Sequence, residues 1–508
     1  MILSDDTPTS PLKSPGQALD ASDGQQPPSY GAAVNQPGRS TPYPASAQPY
    51  DSAGYSYQHV VQPPLHYPEL VPPQRESAAK RFWKAFLVAI LIWALVTMLF
   101  GSIFDISVRK HGHEWLDDAQ DDLPAGVSVD RCVGVQVQKN SIYPSPDTAY
   151  AAFEFPVSSE ALLVVARGSL SNGRFRVTGG AGSRSSTLAK LEVSVRFYRM
   201  DVLSKAKICT IQRKDGEVGV AILTPRWSPD WGHESKLYFD IKLSFPGSSG
   251  SARGLNVKRL ETDLPNFSHD IDHSLENVYF EDIVLKGNNG YILAESLAAR
   301  NAKIITGNAP ITLMTIAAEN IDVETSNGAI NGHYIANGSL KLETSNSPIK
   351  VDVDLSAPIR KIGELYLRTS NSHITADVNF HSFDKDTGKD SDFTLDAKSS
   401  NGGMSLNVKD MPLDSRLSMN AKTSNGVVNV WLPPMYEGSF DLRTSFPMSP
   451  TVYVEEKDDP WRKGRSRKME RWSNTNREST GDVYWGEKKD GKSSLTVRTS
   501  NAPVTLYL

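Results

Sequence analysis

Residues 323–330 read VETSNGAI and residues 342–349 read LETSNSPI, 19 positions further along the chain. Both place an aliphatic residue, a variable residue, Thr-Ser-Asn, two variable residues and a second aliphatic residue in the same order. The pattern recurs as LRTSNSHI at 367–374, AKSSNGGM at 397–404, AKTSNGVV at 421–428 and VRTSNAPV at 497–504. Looser copies precede them, LKGNNGYI at 285–292 and IITGNAPI at 304–311. This repetition predicts short strands joined by a recurring turn.

One asparagine marks each copy, and the first four asparagines are spaced by 19 residues each. Later intervals are 25, 30, 24 and 76 residues, the last across a degenerate copy in which Phe446 replaces the asparagine. A constant period interrupted by inserted loops is typical of solenoids. We therefore predict an all-β fold with a repeat β-solenoid over residues 276–508. The repeat asparagines are Asn289, Asn308, Asn327, Asn346, Asn371, Asn401, Asn425 and Asn501.

Each repeat asparagine is expected at a sharp turn, because asparagine tolerates a positive φ and its side chain bonds nearby backbone. The flanking aliphatic residues would then point inward. The asparagine side chains would align in a ladder, and the Thr or Ser hydroxyls would line the surface. The alternative is a set of β-hairpins with Asn-Gly turns in a sandwich or propeller, although a 19-residue period is short for a four-stranded blade.

These repeats and short aliphatic strands resemble the putative-adhesin domains of unknown function of bacteria and, in related form, of fungal membrane proteins. The resemblance covers roughly residues 276–508. It implies a β-solenoid and a role in surface adhesion, and it brings no catalytic residue.

The region before the repeats, residues 125–275, is predicted to be β-rich. The stretches 161–166 (ALLVVA) and 191–198 (LEVSVRFY) are strand-like, and Gly and Ser clusters separate such runs. A β-sandwich or the beginning of the solenoid fits this pattern. Cys132 and Cys209, the two cysteines of the chain, fall here. They are expected to form a disulfide outside the cytosol, with two separate buried thiols as the alternative.

Residues 85–104 read AFLVAILIWALVTMLFGSIF and contain no charged side chain. Twenty helical residues span about 30 Å, the thickness of the hydrocarbon core of a bilayer. We predict a transmembrane helix over residues 81–104, followed by a juxtamembrane linker over 105–124. Basic residues are denser before the span than after it, which favours a cytosolic N-terminus and a lumenal or extracellular C-terminal part.

The N-terminal tail, residues 1–80, is predicted to be disordered because 14 of the 32 prolines precede Arg75 and large aliphatic residues are scarce. Within it, Pro27, Pro28 and Tyr30 form a PPxY motif. Such motifs resemble ligands of WW domains, including those of HECT-class ubiquitin ligases. A chance match in a tail rich in proline and tyrosine is the alternative.

Two further features concern the predicted outer part. Asn266 and Asn337 begin N-glycosylation sequons, which would mark exposed positions. An insertion over residues 455–489 interleaves basic residues between Trp461 and Trp472. It suits an anionic polymer or lipid headgroups, or else it is a solvated loop whose charges are offset by nearby carboxylates.

No nucleophile elbow, HExxH motif, phosphate-binding loop or dinucleotide fingerprint is present, so we expect no enzyme, cofactor or metal site. Asp352, Asp354 and Asp377 suggest a glycosidase-like acidic cluster, but alternation of exposed strand positions explains them more simply. A formal net charge of -4 gives no reason to expect nucleic-acid binding.

Two functions remain open from the sequence. The first is a non-enzymatic, single-pass membrane protein whose ectodomain contacts a cell-wall polysaccharide or a surface protein. The second is a membrane adaptor that recruits a WW-domain ubiquitin ligase through its tail.

Overall fold

The computed structural model describes most of the C-terminal three-quarters of the chain, as residues 122–139, 146–181, 187–226, 232–247, 254–358, 360–382, 391–445, 449–488 and 493–508. Within them, strands dominate and helix is confined to single turns, which confirms the all-β class. No helix in these ranges is long and apolar enough to cross a membrane. The predicted tail and the predicted span at 81–104 lie outside the described residues.

The first nine strands form mixed sheets. Their bounds are β1 Ser128–Val133, β2 Gln136–Gln138, β3 Asp147–Pro156, β4 Ala161–Arg167, β5 Gly173–Ala181, β6 Leu188–Phe197, β7 Lys207–Gln212, β8 Glu217–Leu223 and β9 Leu237–Pro246. β4 pairs in parallel with β8, and β5 with β9, while β1–β7, β7–β8, β3–β6 and β6–β9 are antiparallel. One helical turn, α1 (Met200–Leu203), follows β6.

A disulfide joins Cys132 on β1 to Cys209 on β7, which face each other in the antiparallel register. Cys209 belongs to a small apolar cluster on the outer face of β4, β7 and β8, together with Leu163 and Ile211. The cross-link therefore fastens the first described strand to the body across 77 residues of sequence.

From residue 255 onward the strands stack in parallel, each pairing with the strand one repeat later. The bounds are β10 Leu255–Asp263, β11 Phe267–Ile271, β12 Val278–Lys286, β13 Ile292–Ala294, β14 Leu297–Thr306, β15 Ile311–Thr325, β16 Ile330–Glu343, β17 Ile349–Ala357, β18 Ile362–Arg368, β19 Ile374–Ser382, β20 Asp392–Lys398, β21 Met404–Asp410, β22 Arg416–Lys422 and β23 Val428–Trp431.

The stacked strands form two sheets, and one repeat contributes one strand to each. We call such a pair a rung. The first sheet runs β4, β10, β12, β14, the ends of β15 and β16, then β18, β20 and β22. The second sheet runs β9, β5, β11, β13, the beginnings of β15 and β16, then β17, β19, β21 and β23. Both sheets thus cross the predicted boundary between residues 275 and 276 without interruption.

The core lies between the two sheets. In the copy at 342–349, Leu342 lies near the end of β16 in the first sheet, Ile349 begins β17 in the second, and both are fully buried. The same holds for Val323 and Ile330 in the preceding copy. Alternate side chains of each strand point inward because a strand repeats every two residues. Burying each such side chain stabilises the fold by about 1.5–3 kcal/mol.

The final six strands depart from the sequential order. Their bounds are β24 Gly438–Thr444, β25 Thr451–Tyr453, β26 Arg467–Asn474, β27 Glu478–Trp485, β28 Ser493–Thr499 and β29 Val504–Tyr507. β28 lies between β22 and β24, and β29 lies between β23 and β25. The last rung in sequence is therefore the penultimate rung in space.

A hairpin closes this end of the first sheet. β27 pairs antiparallel with β24, and β26 pairs antiparallel with β27. The outermost strand, β26, carries Arg467, Lys468, Glu470 and Arg471. Charged side chains on an edge strand discourage pairing with further strands.

Candidate functional site

The repeat asparagines form a continuous ladder of side-chain amides. Each Nδ2 donates to the Oδ1 of the asparagine on the preceding rung, with distances of 2.6–2.8 Å. Asn501 donates to Asn425 across an interval of 76 residues. All eight predicted repeat asparagines are brought together: Asn289, Asn308, Asn327, Asn346, Asn371, Asn401, Asn425 and Asn501.

A ninth member, Asn266, was missed as a repeat residue. Asn289 donates to its Oδ1 at 2.8 Å. The sequence there is Thr262-Asp-Leu-Pro-Asn266, two residues longer than Thr-Ser-Asn, which hides the repeat. The predicted glycan at Asn266 stays a prediction, as does the one at Asn337, which is exposed at the corner of a polar cleft described below.

The expected turn chemistry was wrong in one respect. Among the described residues, the non-glycine positions with positive φ are Arg360, Asp414 and Arg462, and no repeat asparagine is one of them. The turn is held instead by carbonyls of the preceding rung. Ser326 O, for example, accepts from Ser345 N at 3.1 Å and from Asn346 N at 3.0 Å.

The serines of the repeat, such as Ser326 and Ser345, are exposed as expected, but the threonines do not line the surface. Thr325, Thr344 and Thr423 are buried, because this position points into the core between the two aliphatic residues. Thr344 Oγ1 donates to Gly328 O of the preceding rung at 3.1 Å. Thr423 Oγ1 donates likewise to Gly402 O at 2.9 Å. A buried hydroxyl has to find such an acceptor, since an unpaired one is costly.

A polar cleft lies on the outer face of the first sheet, across β10, β12, β14 and the ends of β15 and β16. It encloses about 400 Å³. Asn320 Nδ2 donates to Asn301 Oδ1 at 2.8 Å, and Asn301 Nδ2 donates to Asp282 Oδ1 at 2.9 Å. Ser339 on β16 is the parallel-register partner of Asn320 on β15. These four residues recur at intervals of 19, so the repeat period was the signal that would have found them.

The charges of this cleft are balanced. Lys303 Nζ lies 3.1 Å from Asp322, and Lys341 Nζ lies 3.5 Å from Asp322 and 3.3 Å from Glu343. Lys341 also pairs with Glu324, and that hydrogen bond is the largest of the effects that raise the pKa of Lys341. The cleft therefore carries no large field of one sign.

Two neighbouring clefts extend the first. One, of about 670 Å³, shares Asn320 and Ser339 with it and continues past Asn337. The other, of about 260 Å³, shares Lys341 and is lined by Tyr366. Burial, together with Glu364, raises the pKa of Tyr366, so its hydroxyl stays protonated at neutral pH. We call the three clefts together the polar groove.

The acidic residues noted in the sequence lie on the outer face of the second sheet and do not line the groove. Asp354 accepts hydrogen bonds from His333 at 2.8 Å, Asn379 at 3.0 Å and His381 at 3.1 Å. Burial opposes ionisation of this carboxyl, but these bonds outweigh it and lower the pKa of Asp354. Lys409 lies 2.8 Å from Asp377 and 3.9 Å from Asp352.

The basic insertion is partly an ordered loop and partly the β26–β27 hairpin. Asp459 accepts from the backbone N–H of Trp461 and Lys463 and from the guanidinium of Arg465, and the Arg465 bond is the main cause of its lowered pKa. Lys463 Nζ lies 4.8 Å from the centre of the Trp461 ring. Lys488 lies 5.0 Å above Trp472. Several of these cations are thus paired within the chain.

The residues of the predicted WW-binding motif, Pro27, Pro28 and Tyr30, lie outside the described residues. Across the described ranges, no three His, Cys, Asp or Glu side chains are arranged to hold a metal ion.

Comparison with known proteins gives likenesses to three crystal structures. A putative cell adhesion protein from Clostridium sporogenes is 10% identical over 71% of this chain and 99% of its own, with a TM-score of 0.17. A putative adhesin from Parabacteroides merdae is 11% identical over 55% of this chain and 95% of its own, with a TM-score of 0.23. A putative adhesin from Bacteroides fragilis is 7% identical over 70% and 96%, also at 0.23.

No protein with a curated description matches the chain. Within the rung stack, residues 320–453, which include Asn320 and Tyr366 of the polar groove, match the family described as a domain of unknown function (DUF7330).

Proposed function

We propose that this chain is a non-enzymatic surface-contact protein, a single-pass membrane protein whose β-solenoid ectodomain binds a neutral polysaccharide of a cell wall along the polar groove. The observation that carries the proposal is the groove itself, in which stacked side-chain amides alternate with paired charges on a rigid sheet.

A neutral polysaccharide suits the groove chemically. Asn301 donates one amide hydrogen to Asp282, and Asn320 donates one to Asn301. Each amide keeps further donor and acceptor capacity for the hydroxyl groups of a sugar. The paired lysines and carboxylates offer local donors and acceptors without attracting a polyanion. Tyr366 adds an aromatic surface in the neighbouring cleft. Because all these residues sit on paired strands, the groove is preorganised for its ligand.

Two observations support the membrane topology. The uncharged stretch at 85–104 is long enough to cross a bilayer as a helix. The Cys132–Cys209 disulfide is typical of an oxidising compartment outside the cytosol. Protease protection of sealed vesicles, followed with antibodies to tags at either end, would establish the orientation. We expect the N-terminal tag on the cytosolic side, and the opposite sidedness would contradict this topology.

The ligand class is tested by screening the purified full-length chain on an array of neutral and charged glycans. We expect binding to one or more neutral polysaccharides. Asn320→Ala should weaken that binding about tenfold, because one well-placed interaction worth about 1.4 kcal/mol corresponds to a factor of ten.

Asn379→Ala is a matched control on the opposite sheet. It also removes an amide that makes one side-chain hydrogen bond, to Asp354 at 3.0 Å. Equal losses for the two variants would point to a general effect on the fold, and unchanged binding by Asn320→Ala would exclude the polar groove as the site.

A further inference from the structure

A row of basic side chains crosses the outer face of the first sheet. Each copy of the repeat has a variable residue between its first aliphatic residue and its Thr or Ser, and this residue is basic on five rungs that are consecutive in space. Each of the five is the parallel-register partner of the next: Arg368 on β18, Lys398 on β20, Lys422 on β22, Arg498 on β28 and Arg443 on β24. We call these residues the basic row. Four strand spacings of about 4.8 Å make it about 19 Å long.

The row is continuous only in the folded chain. Arg443 precedes Arg498 in sequence, but β28 lies between β22 and β24, so Arg498 stands between Lys422 and Arg443. A glutamate follows at either end, since Glu343 is the register partner of Arg368 and Glu478 that of Arg443. The row is therefore a bounded feature of the last rungs.

The fold does not require a cation at this position. On three earlier rungs the same position holds Ile305, Glu324 and Glu343, in register with one another. Like charges directly opposite each other on neighbouring strands destabilise a sheet. Five cations in succession thus oppose the stability of the stack, and a ligand of opposite charge would offset their repulsion.

The carboxylates next to the row hold the cations in place. Asp396 pairs with Lys398, and Asp441 lies 2.8 Å from Arg443 and 2.9 Å from Arg498. The side chain of Asp396 is 19% exposed, whereas that of Lys398 is 40% exposed. The carboxylates therefore lie close to the sheet while the cations extend into solvent.

Positive charge is in excess at the centre of the row. Lys422 is exposed and forms no ion pair with another residue of the described ranges. The two glutamates at the ends are loosely paired, at 3.9 Å for Glu343 with Arg368 and 3.8 Å for Glu478 with Arg443. The middle of the row is thus open to an anion from outside the chain.

The surroundings of the row suit a sugar chain. Two and three residues after the cation, most of these copies place an exposed serine and the ladder asparagine, as in Ser370 with Asn371 and Ser424 with Asn425. Their hydroxyl and amide groups are donors and acceptors for sugar hydroxyls. Sites for single-stranded nucleic acid add aromatic side chains on which bases stack. Two positions before the cations, the described residues are Tyr366, Asp396, Asn420, Thr496 and Asp441, with one aromatic ring at the end of the row.

We infer that the basic row binds a linear acidic polysaccharide, a chain of uronic acids that runs along the stack and pairs its carboxylates with the cations of successive rungs. Arginine and lysine form charge-assisted hydrogen bonds with carboxylates. The row begins where the polar groove ends, because Arg368 and Lys398 also line the third cleft. Lys422 lies outside the groove, so this inference stands apart from the binding of a neutral polysaccharide.

The test measures binding of the purified full-length chain to polygalacturonate and to the same polymer with its carboxyl groups methyl-esterified. We expect the acid to bind, the binding to weaken as salt is added, and the ester not to bind. Lys422→Glu should weaken binding of the acid about tenfold, because an attraction is replaced by a repulsion.

Lys350→Glu is the matched control. It makes the same change of charge at an exposed lysine of β17, on the outer face of the second sheet. The affinity of this variant for polygalacturonate should stay close to that of the unmodified chain. Thermal unfolding separates binding from folding, since Lys422→Glu relieves like-charge repulsion and should not lower the melting temperature.

Four results would overturn the inference: no binding of polygalacturonate by the unmodified chain, equal binding of the methyl ester, equal losses of affinity in the two variants, or a lowered melting temperature that accounts for the loss in Lys422→Glu. A single-stranded oligonucleotide of the same charge should bind more weakly than polygalacturonate. Tighter binding of the oligonucleotide would overturn the assignment to a polysaccharide.

Discussion

The strands before residue 247 and the rungs after residue 254 are held together by different interactions. The first region combines antiparallel with parallel strand pairs and ties β1 to β7 by a disulfide that spans 77 residues. The rungs from β10 to β23 are parallel, and the same two side-chain bonds recur on successive rungs: the exposed amide ladder and the buried hydroxyl bonds.

The difference concerns how far each contact reaches along the chain. A rung touches only its neighbours, so the stability of the stack is close to a sum of similar nearest-neighbour contributions. The first region has no repeat to draw on, and its outermost strand depends on one distant cross-link. A single substitution in the first region should therefore lower the free energy of unfolding by a large amount. A substitution in the stack should lower it less, by an amount that depends on how many contacts with neighbouring rungs are lost.

The largest effect is expected from removing the disulfide. Replacing both Cys132 and Cys209 with Ser should lower the free energy of unfolding of the first region by about 4 to 5 kcal/mol, since the cross-link closes a long loop in the unfolded chain. Hydrogen exchange would follow β1, β7 and β8 separately from the rungs. Equal loss of protection in β17 to β23 would show that the two regions unfold as one unit.

The second prediction concerns His269, which lies on β11 where the two regions meet. Burial lowers the pKa of its imidazole from 6.5 to about 4, partly opposed by a hydrogen bond with the Phe267 backbone. Because the unfolded chain binds the proton more tightly, stability is present above pH 6.5 and is lost as pH falls towards 4. The loss should reach about 3 kcal/mol.

Denaturant titrations at several pH values would measure this loss, with His269→Gln as the control. Glutamine keeps a polar group near Thr262 Oγ1, which lies 2.9 Å from His269 Nε2, but it does not titrate. The difference between the two chains should grow as pH falls from 6.5 to 4. Parallel pH profiles would rule out His269 as the origin.

The third prediction compares the middle of the amide ladder with its end. Asn371→Ala removes two amide bonds, to Asn346 and from Asn401, whereas Asn501→Ala removes the bond to Asn425. At about 1 kcal/mol per net hydrogen bond, the expected losses are about 2 and about 1 kcal/mol. Thermal or chemical unfolding measures both. Equal losses would mean that the ladder does not act through neighbouring rungs.

The smallest effect is expected inside the stack. Thr344→Val keeps the shape of the side chain but removes the donor to Gly328 O, so it should cost about 1 kcal/mol. Thr375→Val is the control, because Thr375 is exposed on the second sheet. A greater loss for the control would argue against the buried hydroxyl bonds.

Much of the rung stack could be predicted from the sequence. The aliphatic residues on either side of each Thr-Ser-Asn are inward, and the amides align, because a strict repeat imposes one environment on every copy. The predicted exposure of Thr325 and Thr344 was wrong because their hydroxyls were assigned to the surface by polarity. Side chains alternate along a strand, so a threonine two positions after an inward aliphatic residue points inward as well.

Other features depend on tertiary structure. The degenerate copy at Phe446 indicated that the repeat is interrupted there. It did not indicate that β28 pairs with β22, because local sequence does not encode which strand edge remains open. The polar groove combines side chains from neighbouring rungs whose spacing of 19 was visible. Their shared face became clear only once β14 and β15 were seen to pair in register.

The bond between Asn425 and Asn501 has a genetic consequence. These two rungs are direct neighbours, and residues 432–492, which separate them in sequence, form the outermost rung β24–β25 and the β26–β27 hairpin. On the preceding rung, residues 408–417 join the register partners of Trp431 and Ser494, so an in-frame replacement of the segment by a linker of that length would connect β23 to β28 directly. The segment could therefore be lengthened, replaced or lost in descent without changing the rungs beneath it, and the number of rungs could vary by duplication in units of one repeat.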